Sequence, residues 1–486
     1  MNEIFGREDE IKILNKILNS NSSEFLAVYG RRRVGKTFLI DKFFKNKGKY
    51  FHFTGAKQAT LKEHLKLFKK AFEFYFCVDK KITTPKSWLD SFFLLRELIE
   101  KKLENKNEKI ILFFDEIPWI ATPKSNFLTM LEHFWNDYFS KIPNGILIVC
   151  GSAASWMIEK IIYNKGGLYN RLTAKIQLNS FTLKQTEEYF KANNINLNKK
   201  QIVDIYLVTG GVAKYLTYIE KGLSSNQNIQ NLCFKKNSPL IDEYNHLFKS
   251  LFENYKNHIA IIEYLAKKRS GFTHSELSKI LKKPSGGTLS KIINELKEAG
   301  FIDYLQSINK KKKEGKYILT DEYCFFYLTW IKDFVTSNFQ PISNNYWIEM
   351  QGSAKYASWA GFAFESLCRK HLLQIVKALN LQIVAINAIH FTYKKKNNED
   401  KGIQIDLIID RKDNCMNLFE IKFYNHEFSL SNEEAKKVMF RREKFRGIIK
   451  TKKTLFNTLI STYGAKENTN YLEAFDNQIT VNDLFV

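Results

Sequence analysis

Eight consecutive residues, Gly30 to Thr37 (GRRRVGKT), combine glycines, a lysine and a hydroxyl in the spacing GxxxxGK[ST]. That pattern suits the handling of phosphate. Gly30, Arg31, Arg32, Arg33, Val34 and Gly35 would turn backbone N–H groups inward around phosphate oxygens. The helix expected to start there adds its positive end. Lys36 would reach the β- and γ-phosphates of ATP, and the Thr37 hydroxyl would ligate Mg²⁺. A second stretch, QIDLIIDRKDNCMNLFEIKFY (Gln404–Tyr424), reads as two apolar strands joined by a polar turn. If Arg411–Cys415 is the loop and Asp410 pairs with Met416, then Asp406 stands opposite Glu420. Lys422 then shares a face with Glu420, because side chains alternate with period two. Facing like charges destabilise a sheet unless a cation or a proton is present. Two carboxylates are oxygen donors for Mg²⁺, or Mn²⁺, and with an assisting lysine they suit phosphodiester cleavage.

Elements on either side must position these groups. FLAVYG (25–30) reads as a strand entering the phosphate loop, and FLIDKFFKN as the amphipathic helix leaving it. IILFF (110–114) is a buried parallel-strand pattern ending in Asp115-Glu116, at the strand end where open α/β sheets bind ligands. Asp115 would hold the Mg²⁺ water shell, and Glu116 would orient and deprotonate the attacking water. A third strand, GILIVC (145–150), runs into GSAAS and places Ser152 to touch the γ-phosphate; a small residue at a strand-to-helix turn reads equally well. Arg171, in NRLTAKIQLNSF, is either a surface arginine or a finger for a neighbouring subunit's transition state. FGREDEI, GRRRVGKT, FFDEIPWI, the strand ending GSAAS, NRLTAKIQLNSF and TGGVAKYL (209–216) together resemble the AAA+/STAND-type ATPases often called archaeal ATPases. The resemblance covers roughly residues 1–222 and implies a P-loop ATPase with a helical lid, the first box lying against adenine. Ala213 stands where the family usually has proline.

Residues 257–322 read as three short helices and a two-stranded ribbon with a basic loop, Lys310–Lys313. Thr273 and Glu276 form a capping box, and Ala299-Gly300 ends the third helix. This is the winged helix-turn-helix pattern, with Ser290, Lys291 and Asn294 on the recognition helix. A rigid spacer or a protein-docking module fits the same pattern.

Glu365 sits in the amphipathic run GFAFESLCRKHLLQIV (361–376), either as a charge favoured at a helix start or as a third acid at the metal. Glu365, Asp406 and Glu420-x-Lys422 in that order resemble the PD-(D/E)xK restriction-endonuclease-like fold over residues 346–486, with Ile405 in place of the usual proline. The resemblance implies that Asp406 and Glu420 bind metal, Lys422 activates water and Glu365 supports them. Arg441, Arg442 and Arg446, in the basic run 436–453, would track a phosphate backbone or simply face water.

The fold class expected is thus α/β in three parts: a P-loop ATPase (1–222), a winged helix and linker (223–345) and a nuclease-like α/β domain (346–486). A length of 486 residues suits about three domains. With 44% hydrophobic residues the chain can build real cores, and no apolar run is long enough to span a membrane. The N-terminus has no signal-peptide pattern. Six scattered cysteines without a CxxC pair argue against zinc and disulfides and point to a reduced cytoplasm. A net charge of +24 suits a polyanion such as DNA, although a lysine-rich composition produces it too. Three functions remain open: an ATP-gated DNA endonuclease, acting as a homo-oligomer if Arg171 works in trans; a nucleotide-switched DNA-binding regulator with an inert C-terminal domain; and a nucleotide switch that docks another protein.

Overall fold

Apolar runs without alternation belong in strands covered on both faces; β1 (Glu24–Tyr29), β3 (Ile110–Asp115) and β4 (Gly145–Gly151) are such runs, and with the more polar β2 (Lys49–Thr54) and β5 (Ala174–Gln177) they build the first sheet. Their order is β2-β3-β4-β1-β5, and every pairing is parallel. One face packs on a phenylalanine- and tryptophan-rich core that includes Phe51, Phe114, Trp88 and Trp135. The other packs on Leu14, Leu39, Ile40 and Phe44. The strands read from sequence at 25–30, 110–114 and 145–150 thus lie side by side, with their C-terminal ends together. The computed structural model of the chain describes residues 3–76, 82–102, 108–163, 166, 168, 170–252, 254–281, 286–306, 308, 315–336, 345–393, 395 and 400–486. It divides into two compact units, residues 1–180 and 181–486. No helix among the described residues is long and apolar enough to cross a membrane.

The second unit begins with capped helices. Thr182 with Gln185 and Asn198 with Gln201 form capping boxes on the helices Leu183–Ala192 and Lys199–Thr209. The Gly210-Gly211 pair follows. Gly211 takes φ +67°, and a Cβ there would stand 2.2 Å from the Phe181 carbonyl oxygen. The Phe181 N–H donates to the Gly211 carbonyl at 2.9 Å, so only glycine permits this approach. Ala213 opens a four-residue helix, Ala213–Leu216.

Three helices, Tyr255–Lys267, His274–Ile280 and Gly287–Glu298, precede the antiparallel pair β6 (Ile302–Leu305) and β7 (Lys316–Leu319). Thr273 and Glu276 make the expected capping box, and Gly300 takes φ +76° after the third helix. That helix buries Leu289, Ile292, Ile293 and Leu296 and leaves Ser290, Lys291 and Asn294 exposed. The basic loop Lys310–Lys313 lies outside the described residues.

A π-helical turn, Tyr327–Ile331, brings Trp330 into an aromatic cluster with Trp347 (5.5 Å between centroids), Trp359 (6.1 Å) and, through Trp347, Phe326 and Phe234. The long helix Ala354–Lys370 then leads to the second sheet: β8 (Ala385–Tyr393), β9 (Ile403–Arg411), β10 (Cys415–Lys422), β11 (Thr454–Ser461) and β12 (Asn477–Thr480), in the order β12-β11-β10-β9-β8. β8, β9 and β10 form an antiparallel meander; β10, β11 and β12 are parallel, and the helix Asn432–Ile449 connects β10 to β11.

Candidate functional site

In the first unit the phosphate loop is held from several sides. Gly30 takes φ +143°, and a Cβ there would lie 2.2 Å from the Leu178 carbonyl oxygen, which lets the loop pass against the end of β5. Arg33 and Gly35 also take positive φ, and Gly35 caps the helix Lys36–Phe44. Lys36 is buried, yet its Nζ donates to the carbonyls of Gly30 and Arg31 and to Ser152 Oγ, each at 3.0 Å. A buried ammonium needs such partners. These acceptors close the loop over the position where phosphate oxygens would take the same donors.

Thr37 Oγ1 donates to Asp115 Oδ2 at 2.6 Å, joining the two groups expected at Mg²⁺. Both are hard oxygen donors at one point, so the site fits the ion. Glu116 follows at φ +49° and accepts from Ser152 twice, from the hydroxyl at 2.5 Å and from the backbone N–H at 3.1 Å. Lys36, Ser152 and Glu116 therefore form one hydrogen-bonded chain across β1, β4 and β3. Arg32 stacks 6.0 Å from the Trp119 ring, and Arg171 is exposed.

Two residues at this site were not singled out from sequence. Arg7 is buried, and its guanidinium donates to the carbonyls of Val34 (3.2 Å) and Asn179 (2.9 Å), tying the N-terminal segment to the loop. Burial pulls it down to about 10. On β2, His52 Nδ1 lies 3.1 Å from Asp41 Oδ1 and Nε2 lies 4.0 Å from Asp115 Oδ2. Burial works to raise Asp41, but hydrogen bonds from His52 and Tyr50 prevail and hold it below the usual carboxylate range. FGREDEI carried the signal for Arg7. His52 had none beyond an unexpected polar residue in a phenylalanine-rich strand.

In the second unit the hairpin has the register read from sequence. Met416 pairs with Asp410, and the ladder continues to Phe419 and Leu407, one step short of Glu420 and Asp406. Asp406 is half-buried, and Gln404 Nε2 donates to its Oδ1 at 3.0 Å. Lys422 Nζ lies 3.0 Å from Glu420 Oε1 on the same strand face. Glu365 lies on the inward side of the Ala354–Lys370 helix. Arg369, one turn later, donates to Glu365 Oε2 and to the Asp406 carbonyl, each at 3.4 Å.

The electrostatics are those of crowded acids. Burial first, and then the charge of Asp406, push Glu365 up to about 8. Burial and the charge of Glu420 raise Asp406. Burial opposes the Lys422 charge, but Glu420 beside it prevails and the ammonium is held above its usual value. Three carboxylates whose charges oppose one another are crowded into this centre. Among the described residues, however, no group of three or more His, Cys, Asp or Glu side chains is gathered tightly enough to ligate one. Cations of the chain itself stand close by. Arg441 Nη1 reaches Glu420 Oε2 at 2.6 Å, which turns this arginine into the carboxylate centre. Arg442 and Arg446 both pair with Glu443. Arg369 was not singled out, although its i,i+4 spacing from Glu365 was an available signal; the Arg441–Glu420 contact is made across the fold and left none.

Residues 4–219 match the model of a family described as an ATPase domain predominantly from Archaea. Over 458 residues the chain is 27% identical to an uncharacterized protein of Methanocaldococcus jannaschii, covering 91% of this chain and 92% of that one. An uncharacterized ATP-binding protein of the same organism is 27% identical over 311 residues, 52% of this chain and 84% of its own length. Among solved structures, a Walker-type ATPase of Pyrococcus abyssi is 18% identical with a TM-score of 0.47, covering 67% of this chain and 96% of that one. The Aeropyrum pernix ORC2 protein, in its ADPNP–ADP complexes, is 14% identical with a TM-score of 0.43, covering 68% and 94%. Residues 4–219 thus resemble the ATPase domains of that predominantly archaeal family.

Proposed function

We propose that the chain is an ATP-controlled, metal-dependent nuclease acting on DNA. The observation that carries the reading is the second unit's centre: Glu365 and Asp406 half-buried and pushed toward protonation, with Lys422 held 3.0 Å from Glu420, both on β10 beside the strand of Asp406. The order of elements supports it. A helix carrying an acid, a three-stranded antiparallel meander, a second helix and a parallel strand follow one another, as the PD-(D/E)xK resemblance of residues 346–486 implies. Mg²⁺ or Mn²⁺, bound by Asp406 and Glu420, would supply an acidified water and a counter-charge for the phosphoryl group. Lys422 orients that water through its contact with Glu420, Gln404 fixes the Asp406 carboxylate, and Arg369 and Arg441 place further positive charge where a phosphodiester would enter.

In the first unit Lys36 holds the phosphates, Thr37 and Asp115 share the Mg²⁺ position, Glu116 activates water and Ser152 relays between Lys36 and Glu116. We assign exposed Arg171 to the ATP site of a neighbouring copy. Residues 223–345 supply a winged helix whose exposed Ser290, Lys291 and Asn294 face DNA, and residues 1–222 the ATPase with its lid. A cytoplasmic setting suits free cysteines at 150, 233, 324, 368 and 415.

A second reading has its own observation. Arg441 and Lys422 already neutralise Glu420. In a nucleotide-switched DNA-binding regulator these contacts would be permanent and the centre inert. Wild type, Lys36→Ala and Asp406→Ala incubated with plasmid, single-stranded DNA and RNA, with Mg²⁺ or Mn²⁺ and with or without ATP, separate the two. The nuclease reading expects cutting by wild type, none by Asp406→Ala, and an altered ATP response in Lys36→Ala. ATP hydrolysis without cutting of any substrate overturns it in favour of the regulator.

A further inference from the structure

Behind the carboxylate centre the second unit encloses a cavity of about 140 Å³, several times the roughly 30 Å³ that one water occupies in the liquid. Glu365 and Gln404 line it, so it shares a wall with Asp406. Two guanidinium groups also line it. Arg269 Cζ lies over the Phe325 ring at 3.0 Å and near Phe362 at 5.5 Å. Among the described residues the guanidinium has no hydrogen-bond or ion-pair partner, so its N–H groups can serve a ligand. Arg369 spends Nη2 on Glu365 and on the Asp406 carbonyl, but its Nε is buried with no hydrogen-bond partner.

Two more polar groups in the same wall are unspent. Ser366 Oγ is buried without a partner. His390 is 7% exposed; its Nε2 lies 3.3 Å from Thr392 Oγ1, and its Nδ1 has no partner. With Nε2 accepting from the threonine hydroxyl, Nδ1 carries a proton to donate. Buried donors without acceptors are costly, and several in one cavity ask for one acceptor-rich occupant. The acidic groups of the wall are committed elsewhere. Asp321 caps a helix by accepting from the Cys324 N–H, and Glu322 Oε2 pairs with Lys370 at 2.5 Å. Glu322 Oε1 is unspent and suits a P–OH rather than a P–O⁻.

We propose that this cavity binds one tetrahedral phosphate group, either free in solution or at the end of a nucleic-acid strand entering the carboxylate centre. Arg269 and Arg369 supply charge, and Ser366 and His390 supply hydrogen bonds. The strand-end case rests on the nuclease reading; the free-phosphate case does not.

The test uses the full chain in EDTA, so that binding is read without cutting. A Lys36→Ala background removes the phosphate loop's own affinity for the probe. Inorganic phosphate is titrated against thermal unfolding at constant ionic strength, and strands of one sequence with a 5′-phosphate, a 3′-phosphate or hydroxyl ends are compared by fluorescence anisotropy. Saturable stabilisation by phosphate, weakened at least tenfold by Arg269→Gln, is expected. At least tenfold tighter binding of one phosphate-ended strand over the hydroxyl-ended strand, lost in the same variant, assigns the strand end as the source; equal binding of all strands assigns free phosphate. Ser366→Ala is the milder variant should Arg269→Gln fail to fold. No saturable effect of phosphate together with no discrimination between strand ends, or effects unchanged in both variants, overturns the proposal. Cutting that continues in that event leaves the nuclease reading standing without the cavity.

Discussion

Glu365 offers the sharpest test of the carboxylate centre. In the native protein its carboxyl is pushed up to about 8 by burial and by Asp406, while in the unfolded chain it has the ordinary value of 4.5. At pH 7 the native state therefore keeps a proton that the unfolded state has released. Each pH unit across that interval is worth about 1.4 kcal/mol, so the group works against folding by about 3 kcal/mol at pH 7. The sign follows: stability of the metal-free protein falls as pH rises from about 4.5 to about 8. Glu365→Gln removes the ionisable group and keeps an oxygen to accept from Arg369. The variant should be more stable than wild type at pH 7 by up to about 3 kcal/mol, and equally stable near pH 4.5. Urea unfolding in EDTA at half-unit pH steps, followed by tryptophan fluorescence, gives the difference curve. Parallel curves for the two proteins between pH 5 and 8 would refute the crowded-acid account and with it the main support for a metal site.

Other expectations follow from single contacts. Glu116→Gln should bind ATP as wild type does and lose about 10²–10⁴-fold in hydrolysis, read by phosphate release; an unchanged rate would remove Glu116 as the base. Gly30→Ala brings a Cβ to 2.2 Å from the Leu178 carbonyl at a φ that L-residues avoid, and should lower the melting temperature and ATP affinity together. His371 accepts from the Leu183 N–H at 3.1 Å and lies 2.9 Å from the Leu367 carbonyl, and burial pulls it down to about 4 from 6.5. Its contribution is complete above pH 6.5 and is lost as pH falls from 6.5 to 4, by about 3 kcal/mol, opposite in sign to that of Glu365. His371→Gln should flatten that acid limb in urea titrations, and an unchanged limb would exclude His371 as its source.

What could be read from the chain beforehand depended on how local the chemistry is. The phosphate loop is eight contiguous residues between an apolar strand and an amphipathic helix, so spacing placed Lys36 and Thr37, and the apolar strands ending at Asp115 and before Ser152 placed their partners. The hairpin's register from Asp410–Met416 to Leu407–Phe419 was legible because the turn length sets it. Contacts made across the fold were not legible. Arg441 reaches Glu420 from the helix after β10, and Arg7 reaches Val34 from before β1; no periodicity encodes either. The exposure of Ser290, Lys291 and Asn294 did follow from period, since Leu289, Ile292, Ile293 and Leu296 had to be inside. The basic loop Lys310–Lys313 falls outside the described residues.

The tryptophan cluster determines what can be inherited, or borrowed, as one piece. Trp347 and Trp359 are 1% and 3% exposed because Trp330, Phe326 and Phe234 cover them, and those partners come from well before residue 346. A fragment starting at 346 would keep Asp406, Glu420 and Lys422 in sequence but present two bare indoles to water, a patch prone to self-association. The portable module, for recombination in nature or for grafting at the bench, is therefore one that carries residues 225–234 and 326–331 along with the acids.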